Sequence, residues 1–198
     1  SEIREVKIDD LLGREKVQLD WEAIYHGLNG KSVLVTGGGG SIGAELCRQI
    51  ARTGPARLIV LERNEYNLFA IENSLSREFP DMPLIPALVD VTDVTGVENI
   101  LCTYRPDIIF HAAAYKHVPM LEGQVRSAVR NNIFGTRNIA FQAAQHGCEA
   151  FVLISTDKAV NPANVMGTTK WMAEQYCQNL NAVSRTRFIT VRFGNVLG

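Results

Sequence analysis

From Lys31 onward the chain alternates short apolar runs with longer amphipathic stretches, and that alternation constrains the fold more than any other feature of its 198 residues. The runs are SVLVT (32–36), ARLIVLE (56–62), LIPALVD (84–90), DIIFHAA (107–113), AFVLIS (150–155) and RFITVRF (187–193). Runs such as LIVL and FVLI are apolar at consecutive positions, so both faces of the sheet they build need cover. Right-handed crossover helices supply it, and segments suited to that role lie at about 41–53, 65–78, 94–104, 124–146 and 164–183. The pattern predicts an α/β domain, a Rossmann-like doubly wound parallel sheet over 31–198. Residues 1–30, of mixed charge and ending in the turn dipeptide Asn29-Gly30, read as a leader packed on that domain.

Composition narrows the function. With 20 basic and 21 acidic residues the net charge is −1, which argues against a dedicated binder of nucleic acid or anionic membrane. A hydrophobic content of 46% excludes disorder. Cys47, Cys102, Cys148 and Cys177 are scattered and unclustered with His26, His111, His117 or His146, so no metal site is expected and the thiols read as reduced. No run approaches the roughly 18 apolar residues of a membrane span. Small molecules or other proteins are the expected partners.

After the first apolar run comes Thr36-Gly37-Gly38-Gly39-Gly40-Ser41-Ile42-Gly43, spaced G-x-x-G-x-x-G and opening a helix. Gly37 permits a tight turn, Gly40 lets the backbone approach a pyrophosphate, and Gly43 lets helix and strand pack closely. The free amides of the first helical turn, from Ser41, Ile42 and Gly43, then face the phosphates. Glu62 ends the second run, 19 residues beyond Gly43, where a carboxylate accepts ribose hydroxyls and selects NAD. Arg63 follows and suits the 2′-phosphate of NADP as the alternative, with NAD the preferred reading. Asp90-Val91 stands where an adenine would be met, although the same stretch suits capping of the next helix by Thr92 or Asp93.

The segments Thr36–Gly43, His111-Ala112-Ala113-Ala114 and Asn132-Ile133-Phe134-Gly135-Thr136 together resemble the extended short-chain dehydrogenase/reductase superfamily. Ser155-Thr156-Asp157-Lys158, Asn164–Lys170 and the closing Arg192-Phe193-Gly194-Asn195 are similar to the nucleotide-sugar 4,6-dehydratases of bacterial polysaccharide biosynthesis, in particular those acting on UDP-N-acetylglucosamine. The resemblance implies capsule, O-antigen or glycan synthesis, with tightly bound NAD or NADP and a UDP-N-acetylhexosamine substrate. It also implies a homo-oligomer, a cytoplasmic domain of an inner-membrane-anchored parent, and a substrate-binding portion beyond Gly198.

Such enzymes move a hydride from C4 of the sugar to the nicotinamide, eliminate water across C5 and C6, and return the hydride to C6. By resemblance, Lys158 is the C5 base, Asp157 the acid for the departing hydroxyl, and Thr156 the partner of the C4 hydroxyl. An ordinary Asp–Lys pair carries the reverse protonation, so burial beside a sugar must invert it. Lys170 matches the lysine that holds the nicotinamide ribose. Met166 occupies the slot of the superfamily's tyrosine, as in the large membrane-anchored dehydratases, and has no proton to exchange. The resemblance sets Ala112 and Ala113 on the cofactor and Lys116 and Asn195 on the substrate. Asn132 is expected to back up the Thr156 strand, His117 to sit on a loop, and Arg126 and Arg130 to form a solvated face. Helices near 124–146 and 164–183 suit a dimer bundle or, equally, a core face. A nucleotide-sugar 4-epimerase and a module that holds NAD without chemistry are the rival readings.

Overall fold

A computed structural model describes residues 26–194. Six parallel strands form one sheet in the order β3-β2-β1-β4-β5-β6: β1 (Ser32–Thr36), β2 (Arg57–Glu62), β3 (Leu84–Leu88), β4 (Ile108–His111), β5 (Ala150–Thr156) and β6 (Arg187–Phe193). The order reverses between β1 and β4, where open α/β sheets leave a crevice at the carboxyl ends of their strands. There the register aligns Thr36 with His111 and His111 with Leu153, so the ends of β1, β4 and β5 share one edge.

Alternate residues of β1 feed two cores. Val33 and Val35 pack with Leu58, Val60, Ile50 and Leu75 under α1 (Ser41–Arg52) and α2 (Glu65–Glu78). Leu34 packs on the other face with Ile59, Leu61, Ile109 and Phe151 under α3 (Val94–Tyr104), α6 (Thr136–Gln145) and α7 (Val165–Val183). All five residues of β1 are buried, as a strand covered on both faces requires. The long helices start on capping side chains: Asn64 accepts from the Asn67 amide, Asp93 from Gly96 and Asn164 from Gly167. Helix α1 starts on Gly40 with no side-chain cap.

The single helix expected over 124–146 is instead three pieces. Helix α5 (Val125–Ala128) runs into a π-helical stretch, Val129–Gly135, and then α6. The wider turn brings the neighbours Asn131 and Asn132 both inward, where the loop after β4 gives their amides partners. The apolar runs 84–90 and 107–113 stop as strands at Leu88 and His111, which frees Asp90-Val91 and Ala112-Ala113 for loops. A short helix unforeseen in the sequence, α4 (Val118–Glu122), follows, and His117 is its exposed N-cap. Of the leader, Leu28 enters the α1/α2 core and Asn29 bonds the Thr53 carbonyl at 2.9 Å; the remainder up to residue 25 lies outside the described residues.

Candidate active site

The glycine run is a packed structure. Gly37 has φ +65°, and a Cβ there would lie 2.7 Å from the Ala113 backbone. A Cβ on Gly43 would strike the Gly37 carbonyl oxygen, so this close approach excludes any side chain. Gly38 and Gly39, which the motif spacing left without a role, are also hemmed in. A Cβ on Gly38 would meet Val60 of β2, and one on Gly39 would sit 2.6 Å from Asn67 of α2. Gly40 is open apart from the Gly37 oxygen at 3.3 Å. The turn is closed by the Gly37 amide donating to the Leu61 carbonyl at 2.8 Å. With Gly40 as its cap, α1 presents the first-turn amides of Ser41, Ile42 and Gly43 at the positive end of its dipole.

Glu62 is buried at the end of β2. Its two carboxylate oxygens accept the amides of Gly39 at 3.1 Å and Asn64 at 3.0 Å, which ties the glycine turn to the start of α2. Each oxygen keeps a second lone pair for a further donor. A cleft of about 260 Å³ opens here, lined by Gly37, Gly40, Glu62, Arg63, Val91, Ala112, Ala113 and Asn131 among others. Arg63 reaches across it, 3.7 Å from Asp90 and 4.7 Å above the Tyr115 ring. Burial works against the Asp90 carboxylate, but the Thr92 amide and hydroxyl, each at 2.8 Å, and the Arg63 charge together hold its pKa below the usual value. Lys116, expected on the substrate, bonds the Ser41 hydroxyl at 3.0 Å and so stands over the start of α1.

Behind the cleft lies His111, fully enclosed. Its Nδ1 is 2.6 Å from the Thr36 hydroxyl and its Nε2 2.9 Å from that of Thr136. Thr136 gives its own hydrogen to the Asn132 carbonyl at 2.7 Å, so it must accept from Nε2–H, and Nδ1 accepts from Thr36. Thr36 in turn accepts the amides of Ala112 and Ala113. Burial, and then the charge of Lys170, push His111 down to about 3, so the ring is neutral. Asn132 does not reach β5 as expected. Its side chain bonds both backbone groups of Tyr115 and the Thr169 hydroxyl of α7, because the π-helical turn aims it at the loop after β4.

A second cluster stands at the end of β5. Thr156 caps a 3₁₀ turn, Asp157–Ala159, and its hydroxyl donates to Asp157 at 3.1 Å; Lys158 is 3.6 Å from the same carboxylate. The Thr156 hydroxyl and the nearby Lys158 charge outweigh desolvation and lower the Asp157 pKa. Both ionic side chains are partly open, 56% exposed for Asp157 and 37% for Lys158. The turn is seated on α7, since a Cβ on Gly167 would strike the Lys158 carbonyl oxygen. One turn along α7, Lys170 is only 6% exposed and donates to the Ile154 carbonyl of β5 at 2.6 Å. Burial pushes its pKa down to about 8 against the opposing pull of Glu174. Met166 is in an apolar cluster with Leu121 and Ala128, packed as a core methionine. Asn195 lies outside the described residues.

The structure therefore brings Gly37, Gly40, Glu62, Arg63, Val91, Ala112 and Ala113 to one cleft, with Asp90 and Lys116 at its margins. Thr156, Asp157, Lys158 and Lys170 form a separate group further along the same sheet edge. Residues missed by the sequence reading include Glu174, which accepts from Ser155 at 2.6 Å and holds Arg192 in a two-bond ion pair. No spacing rule signals it, because its partners lie on other elements. Among the described residues no cluster of metal ligands occurs, and no helix is long and apolar enough to cross a membrane.

A parallel sheet with this order, a glycine-lined helix start and an acidic residue ending β2 define a dinucleotide-binding domain of the extended short-chain dehydrogenase/reductase class. Solved structures agree. Pen from Bacillus thuringiensis superposes with a TM-score of 0.78 at 34% identity, covering 86% of this chain and 52% of that one. A UDP-glucose 4-epimerase from Thermus thermophilus, solved in complex with NAD, gives 0.70 at 25% identity, covering 84% of this chain and 56% of that one. The family described as "Polysaccharide biosynthesis protein" matches residues 33–198, and the chain belongs to it. The probable polysaccharide biosynthesis protein EpsC of Bacillus subtilis is 50% identical over the whole chain, which spans 33% of that protein. The inverting UDP-N-acetylglucosamine 4,6-dehydratase of Campylobacter jejuni serotype O:23/36 is 31% identical over 86% of the chain and 50% of its own length. The chain thus spans a third to a half of these relatives.

Proposed function

We propose that this chain is the cofactor-binding part of an NAD-dependent nucleotide-sugar 4,6-dehydratase acting on a UDP-N-acetylhexosamine, with UDP-N-acetylglucosamine the expected substrate. The observation that carries the reading is the Thr156-Asp157-Lys158 turn, seated on α7 beside Lys170 at the same sheet edge as the glycine turn. The residues present fit a dinucleotide: Gly37 and Gly40 line the cleft, the uncapped first turn of α1 faces a phosphate with its amides, and Glu62 keeps lone pairs for ribose hydroxyls. A fixed carboxylate at that point opposes a 2′-phosphate, and Arg63 is already engaged by Asp90 and Tyr115, which favours NAD over NADP. Bound NAD would supply the acceptor, and later the donor, of one hydride.

The chain's own residues supply the remainder. Thr156 orients the C4 hydroxyl, Lys158 takes the C5 proton and Asp157 returns one to the departing C6 hydroxyl. In the partly open pair the Thr156 hydroxyl and the neighbouring Lys158 favour the ionised form of Asp157, the reverse of what an acid for the elimination needs. A sugar and the residues that hold it would exclude water from the pair, favouring its neutral forms and a shared proton. Met166 offers no proton, so the C4 hydroxyl must lose its own through Thr156 to water, or to an ionised Asp157, which then holds the proton it gives to the departing C6 hydroxyl. The relatives support a membrane-anchored parent as a further part of the reading, since an archaeal relative 42% identical over 84% of the chain is described as a membrane protein.

The test is incubation of the intact enzyme with UDP-N-acetylglucosamine in deuterated water. A 4-keto-6-deoxy product without net NADH, carrying solvent deuterium at C5 before any later step, is expected. A 4-epimer with no exchange at C5 would refute the dehydratase reading in favour of an epimerase. Asp157→Asn and Lys158→Met are expected to abolish turnover while leaving NAD affinity nearly unchanged; parallel loss of both would make the two residues structural.

A further inference from the structure

Glu174 is a carboxylate only 4% exposed, on α7 one turn beyond Lys170. Three donors from two strands converge on it. The Ser155 hydroxyl, from the residue before Thr156 on β5, lies at 2.6 Å from Oε1; Arg192, near the end of β6, gives Nε to Oε1 at 3.0 Å and Nη2 to Oε2 at 2.6 Å. Lys170 is anchored beside this group, on the carbonyl of Ile154, the residue preceding Ser155. One buried charge thus joins the helix that carries the lysine, the strand that leads into the Thr156 turn, and the strand that leads to residues 194–198. A buried carboxylate held by a hydroxyl and a paired guanidinium is costly to desolvate, and a purely apolar contact would fill the same space at no such cost.

We propose that Glu174 is a positioning residue for the reaction: it locks the ends of β5 and β6 in register with α7 and keeps the Lys170 ammonium seated on β5. This rests on the dehydratase reading for what Lys170 holds, the nicotinamide ribose. The arrangement follows from charge balance. Besides Glu174, the groups facing Lys170 are His111 from β4, neutral, and Cys177 from α7, a buried thiol pushed up to about 12 by desolvation; beyond Glu174 stands the Arg192 cation of β6. Glu174 is therefore the one anion that supports the Lys170 charge among these, and Arg192 tempers it.

The two variants Glu174→Gln and Arg192→Gln move Lys170 in opposite directions. Neutralising Glu174 removes the support, so Lys170 loses its proton at lower pH; neutralising Arg192 leaves Glu174 unshared and has the reverse effect. The experiment is NAD affinity of the full-length enzyme measured against pH by titration, with kcat and KM for UDP-N-acetylglucosamine alongside. Expected for Glu174→Gln is a fall of about one to two pH units in the alkaline midpoint of NAD binding, with kcat lowered at least about tenfold and KM nearly unchanged. Arg192→Gln, altering a side chain that is half exposed, is expected to raise the midpoint, and it keeps the test open if the first variant fails to fold. Midpoints that match the wild type in whichever variants fold, with only the melting temperature lowered, would overturn the proposal. If the midpoints shift as stated but no 4-keto sugar forms, the dehydratase reading fails and the positioning role stands.

Discussion

His111 offers a measurement in which the structure dictates both sign and slope. The ring is enclosed between Thr36, Thr136 and Phe151, and its folded-state pKa of about 3 lies far below the roughly 6.5 of an unfolded chain. A depressed folded value means that the unfolded chain binds the proton first as pH falls. The stabilisation is therefore complete above about pH 6.5 and is lost on acidification at about 1.4 kcal/mol per pH unit, until the folded ring itself titrates. Between about pH 7.5 and pH 5 the loss from this group alone is about 2 kcal/mol. Carboxylates contribute to any acid profile, so the quantity to measure is the difference between wild type and His111→Gln, whose amide cannot titrate. At neutral pH the variant is expected to be less stable by about 1–3 kcal/mol, because the hydroxyl network loses a well-aligned partner. Urea unfolding at the two pH values should show that gap closing by about 2 kcal/mol at the acid end. A gap independent of pH would show that His111 takes up its proton as readily in the folded protein as in the unfolded chain, which would refute the enclosed, neutral ring.

Two further outcomes follow from packing. Gly43→Ala would drive a methyl into the Gly37 carbonyl with two more backbone atoms at 2.7 and 2.9 Å, so titration should show NAD affinity reduced at least about tenfold and stability lowered by about 1–3 kcal/mol. Gly40→Ala meets only one atom at 3.3 Å and should melt within about 0.5 kcal/mol of the wild type. Native thiol titration should find one fast-reacting cysteine, Cys102, since Cys47, Cys148 and Cys177 are buried and desolvation lifts each of their pKa values to about 12. Two or more fast thiols would mean that the core opens.

Strand positions were legible because apolar runs covered on both faces leave a strong mark: β1 and β6 fall on the expected residues, and α2 and α3 keep both of their expected ends. The break at Val129–Gly135 was not, because periodicity reports which residues are apolar, whereas this turn is widened by polar partners. Asn131 and Asn132 find theirs on the loop after β4, and a Cβ on Gly135 would meet Val91 at 2.8 Å. The site was half legible. Gly37, Gly43 and Glu62 carry local rules of backbone conformation and spacing. Gly38 and Gly39 owe their smallness to Val60 and Asn67, and Glu174 owes its burial to Ser155 and Arg192, residues 18 or 19 positions away that no local pattern connects. Lys116, expected near the substrate or its phosphates, bonds Ser41 of α1, a partner 75 positions away that no local pattern connects.

The bonds from Glu62 to the amides of Gly39 and Asn64 tie the glycine turn, the end of β2 and the start of α2 together within the protein itself. A receptor finished in advance spends little of its grip on organising itself, so more of the contact energy goes into holding what arrives. In the reaction proposed above, slow escape would suit a carrier that is reduced and reoxidised on one spot.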